Sequence, residues 1–398
     1  MTRRFPERGP LDLPGIAQEV MQQWEEGDVF RRSVESRPSD QRFVFFEGPP
    51  SANGKPGIHH VMARALKDIF CRYRTLKGER VERKAGWDTH GLPVELGVEK
   101  ALGITKEDIG RSISVEEYNN ACRESVMRYT AEWNDLTRRM GYWVDMDAPY
   151  VTYEPKYMES VWWLLSQLHS KGLIYKGYTI QPYSPKAGTG LSSHELNQPG
   201  AYRDVTDTTV VAQFRVMGAD AERFSAWTNG ATDGKPVDLL AWTTTPWTLP
   251  SNTALTVGAN IAYNIVRTAN RYTGEEGTVV LAEALYARHF SGKKAPESEV
   301  LATVKGSDLV GLRYEQLIPW AQPMSDADQA FRVIEGDFVT TEDGTGIVHT
   351  APTFGADDAR VAAAAGVPPL LVDDGNGQGV PLVDLQGRLR PECGPWAG

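Results

Sequence analysis

The stretch Phe43-Val44-Phe45-Phe46-Glu47-Gly48-Pro49-Pro50-Ser51-Ala52-Asn53-Gly54-Lys55-Pro56-Gly57-Ile58-His59-His60 decides how the first part of the chain reads. Four apolar residues bounded by Gly48-Pro49-Pro50 read as a short buried strand. After the loop, His60 to Lys77 reads as a helix, with Met62, Leu66, Ile69, Phe70 and Tyr73 on one face and Gly78 at its C-terminal stop. Strand, Gly/Pro loop and helix together form the opening of a doubly wound nucleotide-binding fold. Glycine lets backbone approach a ligand closely, and amides at a helix start attract phosphate. Imidazoles placed there donate hydrogen bonds to oxygens that gain negative charge in a transition state. Taken alone, two adjacent histidines fit a solvated helix start equally well. The sequence has neither GxxxxGK[ST] nor GxGxxG, so a P-loop and a dinucleotide site have no support.

Outward from this stretch, Leu11 to Ser33 reads as a helix on Ile16, Val20 and Trp24. Val115 to Met140 reads as one long amphipathic helix, with Tyr118, Cys122, Val126, Tyr129, Trp133, Leu136 and Met140 on a shared face. Pro155 to Ser170 is a further helix, ended by Gly172. From about Tyr175 short β-like runs take over: Thr208–Val216, Leu239–Thr244, Thr278–Leu281, Phe331–Ile334 and Gly346–His349, with a helix at Leu281–His289. Residues 373–379 read as a surface loop. The ending ECGPWAG is expected to lack helix or strand closure, as at a cut chain.

At roughly 100–200 residues per domain, 398 residues make two or three domains. The apolar and charged shares, 41% and 24%, are those of a globular chain. The net charge of −10 excludes a uniformly basic surface but leaves room for a local basic groove. No apolar run is long enough to span a membrane, and the opening MTRRFPERGP has no secretory h-region. Cys71, Cys122 and Cys393 form no CxxC pair and no disulfide framework, which points to a reduced, cytoplasmic setting.

Two further stretches carry chemistry. In Lys84-Ala85-Gly86-Trp87-Asp88-Thr89-His90-Gly91-Leu92-Pro93-Val94-Glu95, Asp88 can pair with an ammonium group or simply bind its own turn. In Trp242-Thr243-Thr244-Thr245-Pro246-Trp247-Thr248-Leu249-Pro250, the threonine triplet offers three hydroxyls to a carbonyl, a ribose hydroxyl or a water, and Trp247 supplies a rigid wall. About a hundred residues on, Glu342-Asp343-Gly344-Thr345-Gly346-Ile347-Val348-His349 leads into Ala351-Pro352-Thr353-Phe354-Gly355-Ala356-Asp357-Asp358. A threonine ladder at a sheet edge and a satisfied core histidine are the plain structural alternatives.

FEGPPSANGKP, the paired histidines and KAGWDTHGLPVELGVEK together resemble the N-terminal half of bacterial isoleucyl-tRNA synthetases, of class I. GWDTHGLPVE is closer to the isoleucine enzymes than to their valine or leucine relatives. The resemblance runs from about Phe5 to the chain's end. It implies the first half of a Rossmann-type α/β fold with an inserted β-rich editing domain. The implied division is a helical arm at 1–45, the half nucleotide-binding domain at 46–185, the editing domain at 186–392 and a truncated return at 393–398. Pro49 and Asp88 are implied to line the isoleucine pocket, with Asp88 on the α-ammonium. Gly48, Pro50, Asn53, His59 and His60 are implied along ATP or the adenylate, with magnesium accompanying ATP. Gly57, Asn53, His59 and His60 form the implied catalytic set.

The family signature His-x-Gly-His appears here exchanged, as Gly57-Ile58-His59-His60, a form found in type 2 members. The resemblance associates this exchange with tolerance of mupirocin, which mimics the adenylate. A pocket that keeps adenylation and excludes that inhibitor is the expectation. WTTTPWTLP and EDGTGIVHTAPTFGADD resemble the family's editing pocket. There Thr243, Thr244 and Thr245 are implied to place the terminal adenosine, the ester and a water. Trp247 and His349 would bound the side-chain pocket, and Asp358, ahead of its neighbour Asp357, would bind the α-ammonium. The need for such a pocket is physical. One methylene in an apolar site discriminates by only roughly 1–3 kcal/mol, a figure for which this enzyme type is itself the usual illustration, so a second sieve is required.

Ser184 and Ala187 stand where many relatives carry a thiolate knuckle, so no zinc is expected. His194 is no substitute for it. The Lys-Met-Ser-Lys-Ser signature is absent, so the chain by itself is not expected to complete adenylation. The implied partners are tRNA-Ile, isoleucine and ATP, with valine as the edited impostor and no membrane; a monomer is expected. A free-standing editing hydrolase and a non-catalytic tRNA-binding protein remain as alternative readings.

Overall fold

The structure is a computed structural model that describes residues 9–176, 179–292 and 295–398. Two compact units divide the chain, residues 1–176 and 177–398.

The first unit is helix-rich. It runs α1 (Leu13–Glu26), α2 (Val29–Glu35), α3 (Ile58–Leu76), β1 (Lys84–Trp87), α4 (Leu92–Leu102), α5 (Val115–Val126), α6 (Thr130–Arg139), β2 (Asp145–Val151) and α7 (Pro155–Ser170). Two expected single helices are each broken. The first breaks at Gly27–Asp28, where Asp28 sits in the left-handed region at φ 48°, a conformation that a helix cannot contain. The second breaks at Met127–Tyr129, because the Tyr129 amide leaves the helical ladder and donates to the Ala52 carbonyl at 3.0 Å. β1 and β2 pair in parallel.

Phe43–Phe46 is not a strand, contrary to expectation. One isolated parallel bridge, Arg42 to Arg80, anchors its start, and Val44 and Phe46 are 67% and 88% exposed. A lone bridge leaves the following amides and carbonyls without a ladder to join. The predicted apolar face of α3 is likewise exposed: Met62, Leu66, Ile69, Phe70 and Tyr73 all face outward. The buried face carries Arg64, Cys71 and Thr75 instead. This unit's core is a small aromatic cluster of Ala52, Trp87, Trp133 and Val151. It recruits Arg64 as a cation over the Trp133 ring, 5.1 Å from its centroid.

The second unit opens with the hairpin β3 (Tyr183–Ser184) and β4 (Thr189–Gly190), followed by α8 (Ser193–Leu196). Next come β5 (Val210–Arg215), α9 (Gly218–Trp227), β6 (Val237–Thr243), β7 (Ala254–Val257), β8 (Ala262–Ala269), β9 (Glu276–Ala282), α10 (Tyr286–Phe290), β10 (Ser298–Lys305) and α11 (Gly306–Leu309). β11 (Arg332–Glu335), β12 (Ile347–Thr350), α12 (Ala356–Ala365), β13 (Val372–Asp373) and β14 (Gly379–Val380) complete it. Each β-like run of the sequence lies on one of these strands, and the Leu281–His289 segment divides between the end of β9, a 3-10 turn and α10.

A mixed sheet of order β10-β8-β9-β6-β12-β7-β11, with β5 also on β6, organises the unit. Along β6, Val237, Leu239 and Ala241 enter the main core with Phe214, Ile265, Val280 and Tyr314, the period-2 pattern of a strand between layers. β6 and β12 lie parallel, with Val348 opposite Trp242. Their C-terminal ends therefore emerge at the same end of the sheet, in its interior, carrying Thr243–Thr245 and His349. The loop expected at 373–379 is shorter, 374–378, because Asp373 and Gly379 pair as the ends of β13 and β14; it is exposed, with the Asp373 carboxylate accepting from the Gly375 and Gly377 amides, each at 2.8 Å. The final segment is closed down rather than loose. Pro391–Trp396 form a 3-10 turn, and Cys393 is buried against Leu370, Val372 and Leu382, because a small thiol fills that apolar gap without a polar demand.

Candidate functional site

In the first unit the Gly48–Gly57 loop is tied down at four points. Lys67 Nζ donates to the Gly48 carbonyl at 2.9 Å, and the Asp88 amide to the Pro50 carbonyl at 3.0 Å. The Tyr129 amide holds the Ala52 carbonyl at 3.0 Å, and the Trp133 indole N–H holds that of Gly54 at 2.9 Å. Asp88 is thus set directly beside Pro50, at the C-terminal end of β1, where ligands collect in parallel α/β sheets. Pro49 and Asn53 are half-buried on the same loop. Glu47, just upstream, is buried and clamped by Lys67 at 2.7 Å and by the Tyr142 hydroxyl. Sequence reading passed over Glu47; its place before Gly48-Pro49-Pro50 was the one available signal.

Gly57 caps α3, and its amide donates to His60 Nδ1 at 2.9 Å. A neutral His60 therefore carries its proton on Nε2. Burial, helped by the neighbouring His59 and Arg64 charges, pulls the His60 pKa below its usual value. The His59 and His60 rings lie 3.7 Å apart, and His60 meets the edge of Trp133 at 4.7 Å. A side chain at position 57 would press on the His59 ring at 3.0 Å. The exchanged signature thus has a geometric counterpart: His59 folds back over the space that Gly57 leaves.

In the second unit, Thr243, Thr244, Thr245, Trp247, His349 and Asp358 all line one cavity of about 410 Å³. Their roles in its wall differ. Thr243 is buried, and its Oγ1 accepts the Thr245 amide at 3.0 Å, closing the turn after β6. Thr244 and Thr245 are exposed to the cavity. Trp247 stands edge-on to Phe354 with centroids 5.0 Å apart, forming an aromatic corner.

His349 is 6% exposed. Its Nε2 lies 2.9 Å from Thr248 Oγ1, and its Nδ1 lies 2.9 Å from Asn252 Nδ2. Burial lowers its pKa to about 4. Asp358 lies in the first turn of α12, and its carboxylate accepts the Ala351 amide at 2.9 Å. Burial raises its pKa despite that hydrogen bond. Gly355 makes this fold-back possible, since a Cβ there would lie 2.7 Å from Asp358 Cγ. Asp357 points elsewhere and pairs with Arg360 at 3.3 Å. Thr248, Phe354 and Gly355 also line the cavity; they lie inside the motifs already quoted, but only the folded loops show which way each faces.

At the β3–β4 hairpin, the Ala187 amide donates to Ser184 Oγ at 3.3 Å, and His194 Nε2 meets Gln198 at 3.2 Å. Among the described residues, no group of three or more His, Cys, Asp or Glu side chains could hold a metal ion, and no helix is long and apolar enough to cross a membrane.

The family described as tRNA synthetases class I (I, L, M and V) matches residues 19–342, and the chain belongs to it. Within that family it is 61% identical over 402 residues to the "Isoleucine--tRNA ligase" of Bacteroides fragilis, covering 98% of this chain and 34% of that protein. The corresponding ligase of Bacteroides thetaiotaomicron is 60% identical over 410 residues, covering 98% and 35%. That of Clostridium tetani is 42% identical over 390 residues, covering 98% and 34%. The chain therefore spans about a third of the length of these curated relatives. Among solved structures, the editing domain of the P. falciparum cytosolic leucyl-tRNA synthetase covers 38% of this chain and 63% of its own, at 14% identity and a TM-score of 0.29.

Proposed function

We propose that this chain carries the front part of an ATP-dependent isoleucine–tRNA ligase together with its hydrolytic editing pocket. One observation carries the reading: six residues from two motifs a hundred positions apart surround a single cavity of about 410 Å³. The proposed division keeps an arm at 1–45, the half nucleotide-binding domain at 46–185, the editing domain at 186–392 and a return segment beyond.

In a whole ligase, of which this chain carries the front part, the isoleucine carboxylate attacks the α-phosphorus of ATP and pyrophosphate leaves; magnesium would accompany the ATP and offset its charge. A terminal ribose hydroxyl of tRNA-Ile then attacks the carbonyl and AMP leaves. Asp88 takes the α-ammonium beside Pro49, and the Nε2–H of His60 and the His59 ring face the phosphates. In the editing cavity, water attacks the ester carbonyl of valyl-tRNA and the ribose oxygen leaves. Thr244 and Thr245 hold the ester and the water, Asp358 holds the ammonium, and the Trp247–Phe354 corner limits the side chain. The proposed setting is a cytoplasmic monomer that draws on tRNA-Ile, isoleucine and ATP.

Steady-state deacylation of Val-tRNA(Ile) against Ile-tRNA(Ile) by the 398-residue chain tests this. The valyl ester is expected to be hydrolysed and the isoleucyl ester spared; equal rates, or none, would refute the editing assignment. Gly355→Ala is expected to lower kcat/KM roughly tenfold, about 1.4 kcal/mol of transition-state binding, because the new methyl displaces the Asp358 carboxylate. An unchanged rate would show that Asp358 does not need its folded-back position.

A further inference from the structure

His349 lines the cavity, yet both of its ring nitrogens are taken by the protein. The directions of its hydrogen bonds follow from groups that can act in one way only. Thr248 Oγ1 lies 2.8 Å from the Thr245 carbonyl. A carbonyl only accepts, so the single hydroxyl proton of Thr248 points there. Toward His349 that hydroxyl must therefore accept, and the proton of a neutral His349 sits on Nε2. At the other nitrogen, Asn252 Nδ2 donates to the Ala254 carbonyl at 2.8 Å, which fixes the orientation of the amide. Its second proton meets His349 Nδ1 at 2.9 Å, with the Thr350 carbonyl a longer 3.4 Å away; an amide nitrogen cannot accept, so Nδ1 receives the bond. Asn252 Oδ1 in turn accepts the buried Tyr314 hydroxyl at 2.6 Å.

The result is a one-way chain: Tyr314 hydroxyl to Asn252, Asn252 to His349, His349 to Thr248, Thr248 to the carbonyl of Thr245. It begins in the main core, where Phe214 meets Tyr314 edge-on at 5.3 Å, and ends on the threonine loop. From this we infer that Tyr314, Asn252 and Thr248 are positioning residues, which hold His349 as the neutral Nε2–H tautomer and through it fix the Thr243–Thr245 loop. His349 is then a link rather than a proton acceptor, because taking a proton on Nδ1 would set two donors, the ring and the Asn252 amide, against each other. The buried, fully satisfied geometry of each link is what makes the chain stiff. The inference rests on the editing reading only for its kinetic consequence.

The test uses the 398-residue chain with selectively 15N-labelled histidine. Long-range 1H–15N spectra are expected to show the His349 ring, identified among the seven histidines by the loss of its signals in His349→Gln, as neutral and protonated on Nε2 at pH 7. In Asn252→Asp the added carboxylate accepts from Nδ1, and the same ring is expected to become doubly protonated. In deacylation of Val-tRNA(Ile), Thr248→Val is expected to lower kcat roughly tenfold, the scale of one buried hydrogen bond, with little change in KM. Thr248→Ser, which keeps the hydroxyl, recovers most of that loss. An Nδ1–H tautomer in the wild type, or an Asn252→Asp ring still neutral at pH 7, would overturn the chain's polarity. Undiminished kcat in Thr248→Val would overturn its role. Should the wild type hydrolyse no ester, the editing reading falls, while the spectra still decide the hydrogen-bond chain.

Discussion

Asp358→Asn is expected to cut deacylation of Val-tRNA(Ile) on the order of 100-fold in kcat/KM, while Asp357→Asn changes it by less than about twofold. The two neighbours differ in what surrounds them. Asp357 is exposed and answers to Arg360. Asp358 is turned into the cavity by Gly355 and held by the Ala351 amide. Burial without a cationic partner raises its pKa, so its ionised form is a cost to the fold that an incoming ammonium group would relieve.

The stability sign follows from that shift. A carboxyl whose folded pKa lies above its unfolded value favours the native state when protonated and disfavours it once ionised. Asp358→Asn removes the ionised group while keeping an acceptor for Ala351. Its unfolding midpoint at pH 7.5 is therefore expected to equal or exceed that of the wild type, with any gain fading toward acid pH. A variant that loses both activity and stability would mean that Asp358 is a structural cap, and the ammonium assignment would fail.

The second large effect is the acid sensitivity conferred by His349. Its pKa falls from 6.5 to about 4 on folding. Below pH 6.5 the unfolded chain takes up a proton that the folded chain refuses until about pH 4. Stability from this group is thus complete above pH 6.5 and drains away as the pH falls through that window. At 1.36 kcal/mol per pH unit the full loss approaches about 3 kcal/mol. Asp358 pulls in the opposite direction over the acid range, so the wild type alone does not isolate the histidine. Urea unfolding of wild type and His349→Gln at pH 7.5, 6, 5 and 4 does, because Asp358 is common to both. The wild type is expected to lose about 3 kcal/mol more than the variant over that range; parallel pH dependences would show that His349 titrates normally.

Much of this molecule is legible in its linear order. The strand runs of the second unit can be read because period-2 alternation and Gly/Asn/Asp turns are local signals, and β5, β6, β9, β11 and β12 stand where those signals put them. The candidate site residues are legible for the same reason: they lie in short, chemically unusual motifs. Less legible were the helix breaks. Asp28 and Met127–Tyr129 look helical by periodicity, and only a left-handed residue in one case and a distant carbonyl, that of Ala52, in the other end those helices.

The α3 face shows the limit most plainly. Periodicity places Met62, Leu66, Ile69, Phe70 and Tyr73 together, but it cannot say which side of a helix a unit buries. Here Arg64, Cys71 and Thr75 go inward instead. Likewise, the motifs around Thr243–Thr245, His349 and Asp357-Asp358 do not by themselves say which of the two neighbouring aspartates faces inward or where the proton of His349 sits. The amino-acid order alone sufficed for β5, β6, β9, β11 and β12, the motifs and the family, because each depends on near neighbours; it misread Phe43–Phe46 and passed over β7, β8 and β10. The gathering of the cavity, the inward turn of the Asp358 that the family resemblance already favoured, and the two hydrogen bonds that hold the His349 ring came from tertiary structure. They depend on strands β6 and β12, a hundred residues apart in the chain, ending side by side in the middle of one sheet.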